Sequence, residues 1–199
     1  MPHAREHTRP GFSLIELLVV VAVLAVLIAI LLPALAGAQD SSRRTGCSSN
    51  LRSLAQTIEV YKNDYEQRYP LARYIPRPWL SGSSDPGLND KLAGYVEPDS
   101  AAYRCPSDSL VWNAPYRDDQ NRDRVCGMSY LYFTAYGGLK FEETPFARFL
   151  NLSPTQAPLS HDFDGGTFEK QDGSTVLVDF FHRKRPILFA DGHVGDTMP

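Results

Sequence analysis

The sequence predicts an α+β protein in which one long N-terminal helix packs on a small antiparallel β-sheet head with long loops. Three observations lead to this expectation. An unbroken apolar run extends from Leu17 to Leu32, and a second helical stripe follows it from Cys47 onward. From residue 70 the chain carries most of its 15 prolines and shows no long helical pattern. Such a segment favours short strands joined by ordered loops.

Length and composition are compatible with one ordinary domain and an anchor. The chain has 199 residues, of which 43% are hydrophobic and 22% charged, so a packed core is expected and general disorder is not. The formal net charge is −3. Because there is no basic excess to neutralise phosphates, no nucleic-acid partner is indicated.

The N-terminal apolar segment is long enough to cross a membrane. Residues 1–11 are polar and mildly basic, and the apolar segment starts at Phe12. A helix from Phe12 to Leu32 would be roughly 30 Å long at about 1.5 Å per residue, which matches a bilayer core. Pro33 removes one backbone hydrogen bond, so we expect it to kink the helix or end its membrane part.

Glu16 is the exception within this apolar helix. A carboxylate at such a place costs on the order of 2–3 kcal/mol and is normally paired or functional. A cut before Phe12 would create a new α-amino group one helical turn away. That ammonium, on a neighbouring chain, could pair with Glu16 in a low-dielectric setting, which points to a role in assembly.

The segment Gly11–Leu17, with the sequence GFSLIEL, is followed by the apolar run and Pro33. It resembles the prepilin signature of type IV pilins and type II secretion pseudopilins. The resemblance implies cleavage by prepilin peptidase between Gly11 and Phe12, N-methylation of Phe12 and an assembly role for Glu16.

The same resemblance implies a structural protein rather than an enzyme. The chain would be a subunit of a type IV pilus-like or type II secretion pseudopilus filament, polymerised with itself or with other pilin-like subunits. A membrane platform protein and an assembly ATPase would be its other partners. It would be a single-pass protein of the bacterial inner membrane with its head in the periplasm.

Residues 1–36 also resemble an ordinary secretory signal, since Ala34-Leu35-Ala36 before Gly37 offers a small-residue cleavage site. A secreted binding module would result. A membrane-anchored periplasmic binding module or metal-dependent enzyme is the other alternative. The apolar core exceeds the usual length of a signal, and Glu16 would be useless in a discarded peptide, so the prepilin interpretation is favoured.

The second part of the helix shows an amphipathic stripe. Its apolar residues are spaced alternately four and three apart: Cys47, Leu51, Leu54, Ile58, Tyr61 and Tyr65. Tyr69-Pro70 is the predicted end. The predicted organisation is a leader at 1–11, a membrane helix at 12–36, an amphipathic continuation at 37–69 and a periplasmic head at 70–199.

The head contains three predicted strands, Met128–Tyr136, Ser174–Phe181 and Pro186–Ala190. Asp191-Gly192 predicts a tight turn into a final short strand at His193-Val194. Cys47–Tyr61, Tyr103–Asp108, Ser129-Tyr130 and Phe189–Val194 resemble landmarks of a pseudopilin-like family abundant in planctomycetes. That family is described by a histidine followed nine residues on by Asp-Gly; here eight residues separate His182 from Asp191.

The three cysteines leave several pairings open. A Cys105–Cys126 disulfide would close a loop of about 20 residues and add roughly 3 kcal/mol of stability. A Cys47–Cys105 bridge, which would tie the helix to the head, and three free thiols are the alternatives.

Late histidines and aspartates are candidate ligands of a divalent metal, although they lack a tight ligand spacing. They are His161, Asp162, Asp164, His182, Asp191 and His193. Asp162 and Asp164 lie on a glycine-rich loop and are the candidates for a structural calcium ion, which major pseudopilins, to which the chain is similar, often hold in a late loop. Apart from calcium, no cofactor is expected.

Overall fold

The computed structural model describes residues 13–79, 84–98, 100–118 and 120–196. Gly11 and Phe12, the predicted cleavage site, lie outside these ranges. The helices are α1 (Leu14–Asp64), α2 (Leu88–Lys91) and α3 (Pro145–Arg148). The strands are β1 (Pro115–Arg117), β2 (Asp123–Val125), β3 (Tyr130–Tyr132), β4 (Pro158–Asp162), β5 (Gly166–Glu169), β6 (Thr175–Val178), β7 (Ile187–Phe189) and β8 (Val194–Gly195). The predicted α+β class is confirmed.

The chain divides into two units, residues 1–39 and 40–199. Every described residue of the first unit is exposed. The helix to which it belongs contains an 18-residue window with a mean hydropathy of 3.3, so it is long and apolar enough to cross a membrane by length and composition. Pro33 lies inside α1 with helical backbone on both sides, so it does not end the helix. A kink at Pro33 stays a prediction.

The amphipathic stripe on α1 is confirmed up to Tyr61. Cys47, Leu51, Leu54, Ile58 and Tyr61 are all at most 5% exposed and form part of the main core. Burial of such a stripe removes apolar surface from water and is the main source of stability for an amphipathic helix.

Tyr65 is a correction to the predicted stripe, because its side chain is 50% exposed and stacks on Tyr61 with ring centroids 4.2 Å apart. The helix ends at Asp64 instead of reaching Tyr69. Glu66 and Gln67 follow with φ of 54° and 64°, and left-handed residues of this kind terminate a helix. The Gln67 N–H donates to the Lys62 carbonyl at 2.7 Å, which satisfies one of the last carbonyls.

The main sheet of the second unit has four antiparallel strands in the order β3-β4-β7-β8, and β1-β2 and β5-β6 form separate two-stranded sheets. Both faces of the main sheet are covered. Tyr130 and Tyr132 belong to the core cluster that contains the α1 stripe, whereas Leu131 belongs to a second cluster with Trp79 and Phe163. Alternate residues of a strand point to opposite faces, so β3 is buried throughout.

Three predicted strands are confirmed in shortened form as β3, β6 and β7, and the turn at Asp191-Gly192 leads into β8 as predicted. Gly192 has φ of 88°, which this turn requires. The inner strand β4, whose five residues are all buried, was not predicted. Its Pro158 and the polar Ser160, His161 and Asp162 are typical of a loop, and only tertiary pairing with β3 and β7 makes them a strand.

Candidate functional site

The start of α1 is closed by a capping box between Ser13 and Glu16. The Ser13 N–H donates to Glu16 Oε2 at 2.9 Å, and the Glu16 N–H donates to Ser13 Oγ at 3.3 Å. Reciprocal bonds of this kind satisfy helix-terminal N–H groups. This capping box was not predicted, although the Ser-x-x-Glu spacing that signals it is present in the sequence. Glu16 is exposed, so its carboxylate remains open to a neighbouring chain.

A second constellation lies in the core of the head unit, where four side chains from distant parts of the sequence meet. They are Cys47, Cys105, Asp162 and His182, all of them buried. Any two of their potential ligand atoms lie within 4.8 Å of each other. The side chains of two cysteines, one histidine and one carboxylate are all established metal ligands.

Separate elements position the members of this cluster. Cys47 projects from α1, and Asp162 is the last residue of β4, paired in register with Tyr130 of β3. Cys105 follows a single 3-10 turn at Ala101–Tyr103, and His182 lies in the loop between β6 and β7.

Gly46 explains how the loop that carries Cys105 can approach α1. A Cβ at Gly46 would lie 3.1 Å from Cγ of Pro106, tighter than ordinary van der Waals contact. A glycine immediately before Cys47 therefore lets the residue immediately after Cys105 pack against the helix backbone. This close approach brings the two thiols together.

The contacts inside the cluster are short. The Cys47 thiol donates to Asp162 Oδ1 at 3.0 Å, and Cys105 Sγ lies 3.2 Å from His182 Nε2. The Tyr130 hydroxyl lies 3.6 Å from Cys47 Sγ. Two polar atoms have no hydrogen-bond partner, Asp162 Oδ2 and His182 Nδ1. The second of these faces Oδ1 of Asp40 at 3.7 Å.

The cluster shifts the acidity of its members in opposite directions. The interaction with the neighbouring Cys47 side chain, assisted by that with His182, lowers the pKa of Cys105 to about 6, and the same interaction between the two thiols raises the pKa of Cys47. Burial raises the pKa of Asp162 to about 9. Burial lowers the pKa of His182, but its hydrogen bond with Cys105 and the charges of Cys105 and Asp40 outweigh this effect and raise it. Removing a proton from Cys105 is thus made easier, whereas ionising Asp162 is made harder.

Two of the six predicted metal-ligand candidates, Asp162 and His182, are in this cluster, and the others have different partners. His161 Nδ1 lies 2.7 Å from the Asp162 carbonyl oxygen. Asp191 Oδ1 and His193 Nδ1 pair at 2.6 Å on the exposed turn before β8. The sequence-based metal hypothesis contains only histidines and aspartates, and the cysteines enter only as possible disulfide partners or free thiols, so the set of four is not predicted.

The two calcium candidates, Asp162 and Asp164, contact different partners. Asp164 pairs with Arg185 at 2.5 Å through Oδ1, and its Oδ2 accepts the Phe181 N–H at 2.8 Å. Asp162 faces the Cys47 thiol instead. The loop therefore offers calcium no shared pair of carboxylates in these contacts, and calcium binding stays a prediction.

The predicted Cys105–Cys126 disulfide is not found, because all three cysteines are free thiols and these two lie in different core clusters. The Cys126 thiol donates to the Met128 carbonyl at 3.3 Å. Cys105 instead lies beside Cys47, the partner that the competing pairing had named.

Comparison with known proteins gives a family match at the N-terminus and two relatives, each aligned over more than half of the chain. The family described as the prokaryotic N-terminal methylation motif matches residues 8–32. Type II secretion system core protein G of Klebsiella michiganensis is 27% identical over 113 residues, which cover 57% of this chain and 75% of that protein. The protein of the same name from Klebsiella pneumoniae is 30% identical over 109 residues, which cover 54% of this chain and 71% of that protein.

No solved structure matches the chain significantly. The methylation motif occupies the start of α1, and the similarity to the Klebsiella pneumoniae protein extends over more than two thirds of that relative. The chain belongs to the type IV pilin-like family of type II secretion pseudopilins that includes core protein G.

Proposed function

We propose that this protein is a structural subunit of a type II secretion pseudopilus, held in the inner membrane with its head in the periplasm until it is assembled. The observation that carries the proposal is the exposed apolar helix with a single carboxylate near its start. Residues 14–39 of α1 are exposed throughout, and most of them are large and apolar. An apolar surface of this extent requires a bilayer or neighbouring chains to cover it.

Prepilin peptidase would cut between Gly11 and Phe12 and leave Phe12 as the N-methylated first residue. The match to the methylation motif over residues 8–32 supports this step. The Ser13–Glu16 capping box would then begin at the second residue of the mature chain, so the helix start remains closed after the leader is removed.

Glu16 would set the register of assembly. Its Oε2 accepts the Ser13 N–H, while its exposed carboxylate is available to the methylated α-ammonium of an adjacent subunit. In the low-dielectric interior of a filament an unpaired carboxylate is costly, so subunits that align the two charges are favoured. A membrane platform protein and an assembly ATPase would supply the site and the energy for this step.

The N-terminal mass of the protein purified from its native membranes tests this function. We expect a chain that begins at methylated Phe12. A chain beginning at Gly37 would instead identify a secreted protein, and an intact Met1 would identify a simple anchor; either result would contradict the pseudopilin mechanism. A Gly11→Ala variant provides the matched control, because a substitution at the cleavage junction should leave the leader uncut while the apolar helix still inserts.

A further inference from the structure

We propose that Cys47, Cys105, Asp162 and His182 bind one zinc ion, and that this ion fastens the amphipathic part of α1 to the loops of the head. The site goes beyond the filament function and does not depend on it. It uses residues from α1, the loop after the first 3-10 turn, the end of β4 and the loop between β6 and β7.

The number, type and spacing of the ligands fit a structural zinc site. Such sites have four ligands chosen from cysteine thiolates, histidine nitrogens and carboxylate oxygens in a tetrahedron. Bonds of about 2.0–2.3 Å place tetrahedral ligand atoms roughly 3.5 Å apart. The four atoms already lie within 4.8 Å of one another, with contacts of 3.0 Å and 3.2 Å between two of the pairs. Small side-chain rotations would therefore complete the tetrahedron.

Burial favours a closed structural site over a catalytic one. Cys47, Cys105 and Asp162 are 0% exposed and His182 is 3% exposed. A catalytic zinc keeps a position for water or substrate, whereas these four protein groups fill the tetrahedron and solvent does not reach them. The same burial excludes Cys105 from acting as a nucleophile on an external substrate, despite its contact with an imidazole.

The surroundings supply the outer partners that zinc ligands require. With His182 Nε2 facing Cys105 inside the cluster, Nδ1 faces Asp40 Oδ1 at 3.7 Å. A histidine that binds metal through one nitrogen and donates to a carboxylate through the other is the usual arrangement. The Tyr130 hydroxyl near Cys47 Sγ can donate to the thiolate. A small shift of the half-buried Asp40 side chain would complete the bond to His182.

Zinc also accounts for a buried carboxyl group, Asp162, that otherwise has no cationic partner in the core. Asp162 is fully buried, its Oδ2 has no partner, and within the part of the chain that the structure describes no basic side chain forms an ion pair with it. Arg185, the nearby cation, pairs with Asp164. Buried charges are normally paired or bound to a metal, and a divalent ion would balance two of the three negative charges that Asp162 and both thiolates carry when they bind it.

A Cys47–Cys105 disulfide is the competing outcome in an oxidising compartment. It would join two of the four groups but leave Asp162 and His182 buried beside it with unpartnered polar atoms. A zinc ion would bind all four side chains, and the geometry therefore favours the metal over the disulfide.

Metal analysis of the full-length protein, purified in detergent from its native membranes without chelator, tests the proposal. We expect about one zinc ion per chain. Protein without zinc, or with a Cys47–Cys105 disulfide in non-reducing peptide mapping, would overturn it. Replacement of zinc by Co²⁺ in the wild-type chain should produce the visible absorption of tetrahedral cobalt thiolate, and its absence would also overturn the proposal. This second measurement needs no variant and is independent of folding defects.

Variants then assign the ligands. Cys47→Ser and His182→Gln should lose the bound zinc, whereas Cys126→Ser should retain it, because Cys126 is a buried thiol in the other core cluster. Asp40→Asn should weaken zinc affinity by about 10- to 100-fold without abolishing binding, as expected of an outer partner. Zinc content unchanged in both Cys47→Ser and His182→Gln would refute the assignment.

Discussion

Glu16 forms a capping box at the start of α1 and has a proposed second role in assembly, and substitutions can distinguish the two. As part of the capping box it accepts the Ser13 N–H at 2.9 Å, and as a charge it is available to an ammonium group of another subunit. Glutamine keeps an oxygen at the same position and can retain the capping box, but it has no charge. Glu16→Gln therefore removes only the second role, and Ser13→Ala removes only the hydroxyl that accepts the Glu16 N–H at 3.3 Å.

The two substitutions should weaken the association between subunits to different extents. Loss of a capping hydroxyl costs about 1 kcal/mol, confined to the helix end. Two unit charges 4 Å apart interact with about 4 kcal/mol at an effective dielectric constant near 20. At about 1.4 kcal/mol for each factor of ten, Glu16→Gln should weaken each subunit contact by on the order of 100- to 1,000-fold, whereas Ser13→Ala should weaken it less than about tenfold.

Filament recovery from the native host provides the assay. Each variant is first checked for membrane insertion and for the mature N-terminus, and the assembled fraction is then measured relative to the membrane pool. Glu142→Gln is the matched control, because it makes the same chemical change at an exposed residue of the head. We expect Glu16→Gln to be inserted and processed but absent from filaments, with Ser13→Ala and Glu142→Gln assembling.

The reverse pattern would refute the reasoning. If Glu16→Gln assembled normally and Ser13→Ala did not, Glu16 would serve the helix cap alone, and the paired-charge mechanism would have to be abandoned.

Three further predictions concern the head. Leu54→Ala, at a position that is 1% exposed, should lower the free energy of unfolding by about 3 kcal/mol. Val60→Ala, on the exposed side of the same helix, should change it by less than about 0.5 kcal/mol. Equal melting temperatures of the two variants would contradict the packing of α1 on the head. Asp108→Ala should lower the free energy of unfolding, measured by denaturant titration, by about 3 kcal/mol, because the Asp108 carboxylate accepts hydrogen bonds from three backbone N–H groups at 2.7–2.8 Å. A decrease below about 0.5 kcal/mol would argue against that network. If free zinc is present at about 1,000 times its Kd, excess chelator should remove about 4 kcal/mol of stability from the wild-type chain and lower its melting temperature accordingly. Cys126→Ser should show the same decrease, whereas the melting temperature of Cys47→Ser should not change with chelator.

What the sequence predicted well was local. The apolar run, the position of Glu16 within it and the four-three spacing from Cys47 to Tyr61 are properties of neighbouring residues on one helix, and helix periodicity makes them readable without a partner. Strand candidates with aromatic and β-branched residues were also found. The predicted end of α1 at Tyr69-Pro70 lies beyond the observed end at Asp64, because Glu66 and Gln67 adopt left-handed conformations that their residue types do not predict.

The sequence by itself therefore determined the prepilin-type start, a helix long and apolar enough to cross a membrane, and the amphipathic continuation of that helix. Only the tertiary structure decided that Pro158–Asp162 is the strand between β3 and β7, because polar residues become strand residues when neighbouring chains satisfy their backbone groups. Only the tertiary structure assembled the buried cluster, in which Cys47 meets Asp162 across 115 residues and Cys105 meets His182 across 77. These contacts depend on strand register and on the approach of Pro106 to Gly46, which are properties of packed elements and not of any local pattern.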